Sequence, residues 1–125
     1  MKKLILLLLF IPFVSFSQID EERYKLYPTE NVYTFLKLDT ATGRVWQIQY
    51  GVGDVEGNTV VLSDFDYSLG NGQNGKYKLY PTQNMWNFLM LDTYEGITYQ
   101  VQWHTDEDKR MILWIPRHYS EYSDN

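Results

Sequence analysis

Cysteine is absent from all 125 residues. That excludes disulfides, a thiolate metal site, a cysteine nucleophile and a lipid-modified cysteine. A domain of this size must then be held by its apolar core. Histidine is nearly absent too, with only His104 and His118. Two imidazoles leave little material for a histidine-based metal centre or for a base beside a serine. Ser63, Ser68 and Ser120 also lack the glycine-flanked elbow of nucleophilic serines. Basic residues are outnumbered 11 to 16, for a net charge of −5. Such a surface repels phosphate backbones, which argues against nucleic acid as a partner. Past the first residues no segment keeps a 3.6-residue apolar period, so no amphipathic helix is expected.

The one long hydrophobic run lies at the start. Lys2 and Lys3 precede an apolar stretch from Leu4 to Val14, followed by Ser15-Phe16-Ser17. A basic head, a short apolar run and small residues at the cleavage positions are the marks of a signal peptide. The run is too short for a spanning helix, which needs about 20 apolar residues. The expectation is export to the periplasm or beyond, with cleavage after Ser17; the alternative is an uncleaved anchor. Without Lys2 and Lys3 the balance is nine basic to sixteen acidic residues, a net of −7.

What the chain does have is one segment written twice. Tyr24–Tyr50 returns 53 positions later as Tyr77–Trp103, with 15 of 27 positions identical. Two copies of one supersecondary unit predict a pseudo-symmetric fold. Each copy reads as a β-meander. The first strand is Tyr24–Tyr27 or Tyr77–Tyr80, ended by Pro28 or Pro81. The second runs Val32–Leu38 or Met85–Leu91, apolar on both faces. The third, Val45–Tyr50 or Thr98–Trp103, alternates cleanly. Its Trp46, Ile48 and Tyr50 are expected in the core, with Gln47 and Gln49 outside. Tyr99, Val101 and Trp103 repeat the pattern against Gln100 and Gln102. Fourth strands are expected at Thr59–Leu62 and Arg110–Ile115.

Between the second and third strands lie Asp39-Thr40-Ala41-Thr42-Gly43 and Asp92-Thr93-Tyr94-Glu95-Gly96. An Asp that caps backbone N–H groups and a Gly that turns left-handed would close each hairpin. Asp39, Gly43, Asp92 and Gly96 are therefore assigned as structural turn residues. The expected organisation is a signal peptide at 1–17, a short lead at 18–22, a first repeat at 23–62, a linker at 63–75, a second repeat at 76–116 and a tail at 117–125. The fold class is all-β: two tandem four-stranded antiparallel meanders, related by a pseudo-twofold and packed as a small sandwich or barrel.

The run Leu38-Asp39-Thr40-Ala41-Thr42-Gly43-Arg44-Val45-Trp46 resembles the L-D-x-x-T-G-x-x-x-W hairpin of quinoprotein-type β-propeller blades, with Trp46 one position early. Both copies also resemble small exported bacterial proteins of unassigned activity, which carry paired Y-x-L…F-L-x-L-D-T-x-x-G-x-x-W segments. The resemblance implies an envelope location and a β-repeat fold, and it brings no cofactor or activity.

No catalytic, metal or cofactor site is assigned. The cluster His104, Asp106, Glu107 and Asp108 has no counterpart in the first copy and reads as a solvated acidic turn. The aromatic and amide residues are the binding candidates. Tyr33, Trp86, Gln47, Gln49, Gln100 and Gln102 could stack on a sugar ring and bond its hydroxyls, or form a Tyr- and Trp-rich protein interface. The expected function is a non-catalytic exported β-repeat module that binds a protein or glycan partner in the bacterial envelope. The alternatives are a structural module acting through dimerisation or sheet-edge pairing, and a small hydrolase.

Overall fold

Alternating side chains and one left-handed hairpin glycine, Gly43 or Gly96, shape each copy into a four-stranded meander. The computed structural model describes residues 21–117; the segments read as a signal peptide and as the polar tail, with His118 and Ser120, lie outside them. The first sheet consists of β1 (Tyr24–Pro28), β2 (Thr34–Asp39), β3 (Val45–Gln49) and β4 (Asn58–Ser63). The second consists of β5 (Tyr77–Pro81), β6 (Asn87–Asp92), β7 (Thr98–Gln102) and β8 (Met111–Ile115). Both are antiparallel and keep sequence order. A 3₁₀ turn, Glu107–Lys109, precedes β8.

The second strands start later than the alternation suggests. Asn31 accepts the Tyr33 N–H on its side-chain oxygen at 2.9 Å, and Thr29 bonds the backbone of Asn31 and Thr34. These bonds hold Val32 and Tyr33 in the turn. Asn84 and Thr82 do the same before Asn87.

The chain is all-β, two four-stranded meanders packed as a small sandwich. Within that sandwich the copies do not meet through equivalent surfaces. The first sheet buries Leu36, Leu38, Val45 and Gln47. The second buries Tyr77, Leu79, Phe88, Met90, Tyr99 and Val101, the counterparts of Tyr24, Leu26, Phe35, Lys37, Trp46 and Ile48. In a strand, neighbouring side chains point to opposite faces. The two sheets therefore bury opposite faces of the same repeat.

A pseudo-twofold would bury the same positions twice. The stacking is instead face to back, and this corrects the symmetry expected from the duplication. It also corrects the assignment of β3. Trp46, Ile48 and Tyr50 lie on the outer face, while Gln47 is buried. In β7 the expected alternation holds, with Tyr99, Val101 and Trp103 inside. Both faces of the repeat are apolar enough to be buried, so periodicity defines the faces and stacking order selects between them.

The sheets are tied by few polar bonds. The Tyr77 N–H donates to the Thr40 carbonyl at 2.9 Å, and the Gly75 N–H donates to Thr40 Oγ1 at 2.9 Å. The connection at 64–75 is anchored as well. The Tyr67 N–H donates to the Thr42 carbonyl at 2.8 Å, and the Tyr67 ring packs on Tyr99 with centroids 4.6 Å apart.

Candidate binding surface

The outer face of the first sheet is built by residues that the repeat would otherwise place in a core. Tyr24, Leu26 and Val61 are 49%, 60% and 50% exposed. Lys37 lies among them. Its Nζ sits 4.8 Å from the Trp46 ring centroid and 5.8 Å from that of Tyr24. The ammonium is attracted to the ring faces while its stem covers apolar surface. The outer face of the second sheet carries exposed Tyr80, Leu89 and Leu113.

At the end of the first sheet, Tyr33 and Tyr50 meet edge to face at 5.7 Å. With Gln49, Val52 and Val55 they line a cavity of about 240 Å³. Here two of the sequence candidates, Tyr33 and Gln49, are brought together. A smaller cleft of about 160 Å³ opens between the sheets, lined by Thr34, Gln47, Gln49, Asn58, Trp103 and Arg110 among others.

The remaining candidates are engaged within the fold. Gln47 Nε2 donates to the His104 carbonyl at 3.0 Å, and its Oε1 accepts the His104 N–H at 3.2 Å. Gln100 Nε2 donates to Asn87 Oδ1 at 2.7 Å. Gln102 Nε2 donates to the Lys109 carbonyl at 2.9 Å. Trp86 is half-buried, stacked on His104 at 4.4 Å and tilted against Trp103 at 4.7 Å. Trp103 is fully buried, and its indole N–H donates to the Met85 carbonyl at 2.9 Å.

The turn aspartates are buried structural groups. Asp39 accepts the Ala41 N–H at 3.0 Å, and Asp92 accepts those of Tyr94 and Glu95 at 2.9 and 3.0 Å. Gly43 and Gly96 adopt φ of 84° and 75°, and each donates to the carbonyl of its aspartate. Each carboxylate also faces a cation that the sequence reading missed. Arg23 grips Asp39 through Nε at 3.1 Å and Nη2 at 3.0 Å. Lys76 Nζ lies 3.4 Å from Asp92 Oδ2. The signal was present, because Arg23 and Lys76 are themselves 53 positions apart. Burial works hardest against the Asp39 charge, but the Arg23 bonds, the Ala41 amide and the Thr42 hydroxyl outweigh it and hold its pKa below the usual carboxylate range.

Asp106, Glu107 and Asp108 stand on the exposed 3₁₀ turn, and His104 Nδ1 accepts the Asp106 N–H at 3.0 Å. Among the described residues no three His, Asp or Glu side chains converge to hold a metal ion, and no helix is long and apolar enough to cross a membrane. No protein family, no curated protein and no solved structure matches this chain.

Proposed function

We propose that the protein is a non-catalytic, exported β-repeat module whose outer sheet faces bind a protein or glycan partner in the bacterial envelope. One observation carries the reading. Both outer faces of the sandwich present large apolar side chains to water, with Tyr24, Leu26 and Val61 on one and Tyr80, Leu89 and Leu113 on the other. Large apolar side chains gathered on an exposed sheet face mark interaction sites in stable domains. The basic-headed apolar start of the chain supports export.

A protein partner suits the sheet faces, since aromatic and aliphatic side chains dominate them. A glycan suits the Tyr33–Tyr50 cavity, where Gln49 adds an amide beside two phenol rings. The test is capture from envelope extracts and binding to a glycan panel, with Leu26→Glu, Leu89→Glu and Tyr50→Ala variants alongside the wild type. Loss of capture in the sheet-face variants is expected. Unchanged capture by every variant, or no retained ligand at all, overturns the reading. Assembly through self-association is the second reading, and the face-to-back stacking favours it.

A further inference from the structure

We infer that a second copy of this chain covers the outer faces, stacked head to tail in the geometry the two sheets already use within one molecule. The inference rests on the partner-binding reading above and names the partner. Inside the molecule, the Leu36–Leu38–Gln47 face of the first sheet packs on the Leu79–Phe88–Met90 face of the second. Under the 53-residue repeat, the outer face of the second sheet is the counterpart of the first of these surfaces. It carries Tyr80, Leu89, Leu91 and Gln100 where the inner face carries Tyr27, Leu36, Leu38 and Gln47. The outer face of the first sheet is the counterpart of the other. It carries Leu26, Phe35, Trp46 and Ile48 where the core has Leu79, Phe88, Tyr99 and Val101. The two bare faces of the molecule are thus the two halves of a contact the molecule already makes.

The polar ties have counterparts as well. Gln47 is locked to the backbone of His104, and the repeat places Gln100 opposite Gly51 of the next copy. The Thr40 carbonyl takes the Tyr77 N–H inside the chain. Thr93, exposed where Thr40 is fully buried, stands ready for the Tyr24 N–H of a neighbour. The Tyr27 hydroxyl accepts the Leu79 N–H at 3.4 Å, and Tyr80 stands in the same relation to Leu26 of another copy. Because the two faces differ, the contact is heterologous. Such contacts close into rings when the rotation between units allows and extend as filaments when it does not.

Lys37 is the charged position that departs from the pattern, since its core counterpart is Met90. Its charge sits over the Trp46 and Tyr24 rings, and stacking in the same geometry draws water away from it, since Met90 is fully buried at the equivalent place. Lys37 therefore weakens the association.

The test is sedimentation velocity and light scattering on protein purified from expression of the full chain, from about 1 μM to about 1 mM. The wild type is expected to form concentration-dependent multiples of the chain mass. Leu26→Glu on one face, or Leu89→Glu on the other, is expected to weaken association about thirty-fold or more. Val61→Glu and Leu113→Glu repeat each test should either variant lose its cooperative melt. Mixing a first-face variant with a second-face variant leaves one intact pair of faces and is expected to restore a two-chain species. Lys37→Met is expected to tighten association. A wild type that stays monomeric, or variants that mixing does not rescue, overturns the inference. The partner-binding reading fails separately, when the same variants capture envelope material as well as the wild type does.

Discussion

Gln47 and the backbone of His104 bond each other in both directions, the side-chain amide donating to the carbonyl and accepting from the N–H. This pair joins β3 of the first sheet to the segment after β7 of the second. Gln47→Met keeps the length and removes both bonds. It is expected to cost about 1–3 kcal/mol, because the His104 N–H loses its partner in a partly buried gap, while the carbonyl keeps its bond from Arg110 Nε at 2.9 Å. Gln100→Met, which loses only a bond to Asn87, is expected to cost less than half as much. Urea unfolding followed by tryptophan fluorescence measures both.

The two aspartate–cation pairs differ in exposure, and their loss should differ accordingly. The Lys76 and Asp92 side chains are 9% and 3% exposed. Asp92→Ala strands a buried ammonium and is expected to cost about 3–5 kcal/mol. The Arg23 side chain is 48% exposed and rehydrates readily, so Asp39→Ala is expected to cost only about 1–2 kcal/mol. The folded-state pKa of Asp39 is lowered. Its contribution is therefore complete above the unfolded value of about 3.9 and is lost as pH falls through the lower folded value. Melting temperatures of wild type and Asp39→Ala should converge as pH falls below about 4.

Two tyrosines should resist alkali. Burial raises the Tyr77 hydroxyl above the usual range, with Asp92 adding to it, and burial likewise raises Tyr99, with Tyr67 adding. For an acid whose folded pKa is raised, stability declines once pH passes the unfolded value, about 10 for tyrosine. Absorbance titration is expected to show these two rings ionising only as the sheets come apart. Tyr77→Phe and Tyr99→Phe should remove the corresponding late steps and flatten the loss of stability above about pH 10.

Leu69 holds φ at 53° with its side chain 76% exposed. A branched aliphatic residue gains nothing there and carries left-handed strain. Asp66 already caps this turn, accepting the N–H groups of Ser68 and Gly70. Leu69→Asn is expected to stabilise by roughly 0.5–1 kcal/mol, read as a higher melting temperature. An unchanged or lower value would show that the turn relaxes in solution.

The meanders, their order and their hairpin turns were legible because local chemistry specifies them. Asp39 and Gly43 act within five residues, and Pro28 and Pro81 close the first strands. The inward face was not legible. Leu26 and Leu79 are the same residue at the same place in the repeat, yet one is 60% and the other 3% exposed. Only stacking between the sheets separates them. The amides were read as an outer row for the same reason, and Gln47 proved to be an inter-sheet clamp. The clearest trace of the difference lies in one exchange, Lys37 for Met90: the charged residue fell to the sheet whose face stayed in water.

The face-to-back contact also bears on how such a chain could arise. A single repeat has two apolar faces and no partner within itself, so a one-repeat ancestor would have been soluble only among its own copies. Gene duplication then would not have created the contact between the sheets. It would have joined by a peptide link two units that already met, sparing them the entropy of finding each other.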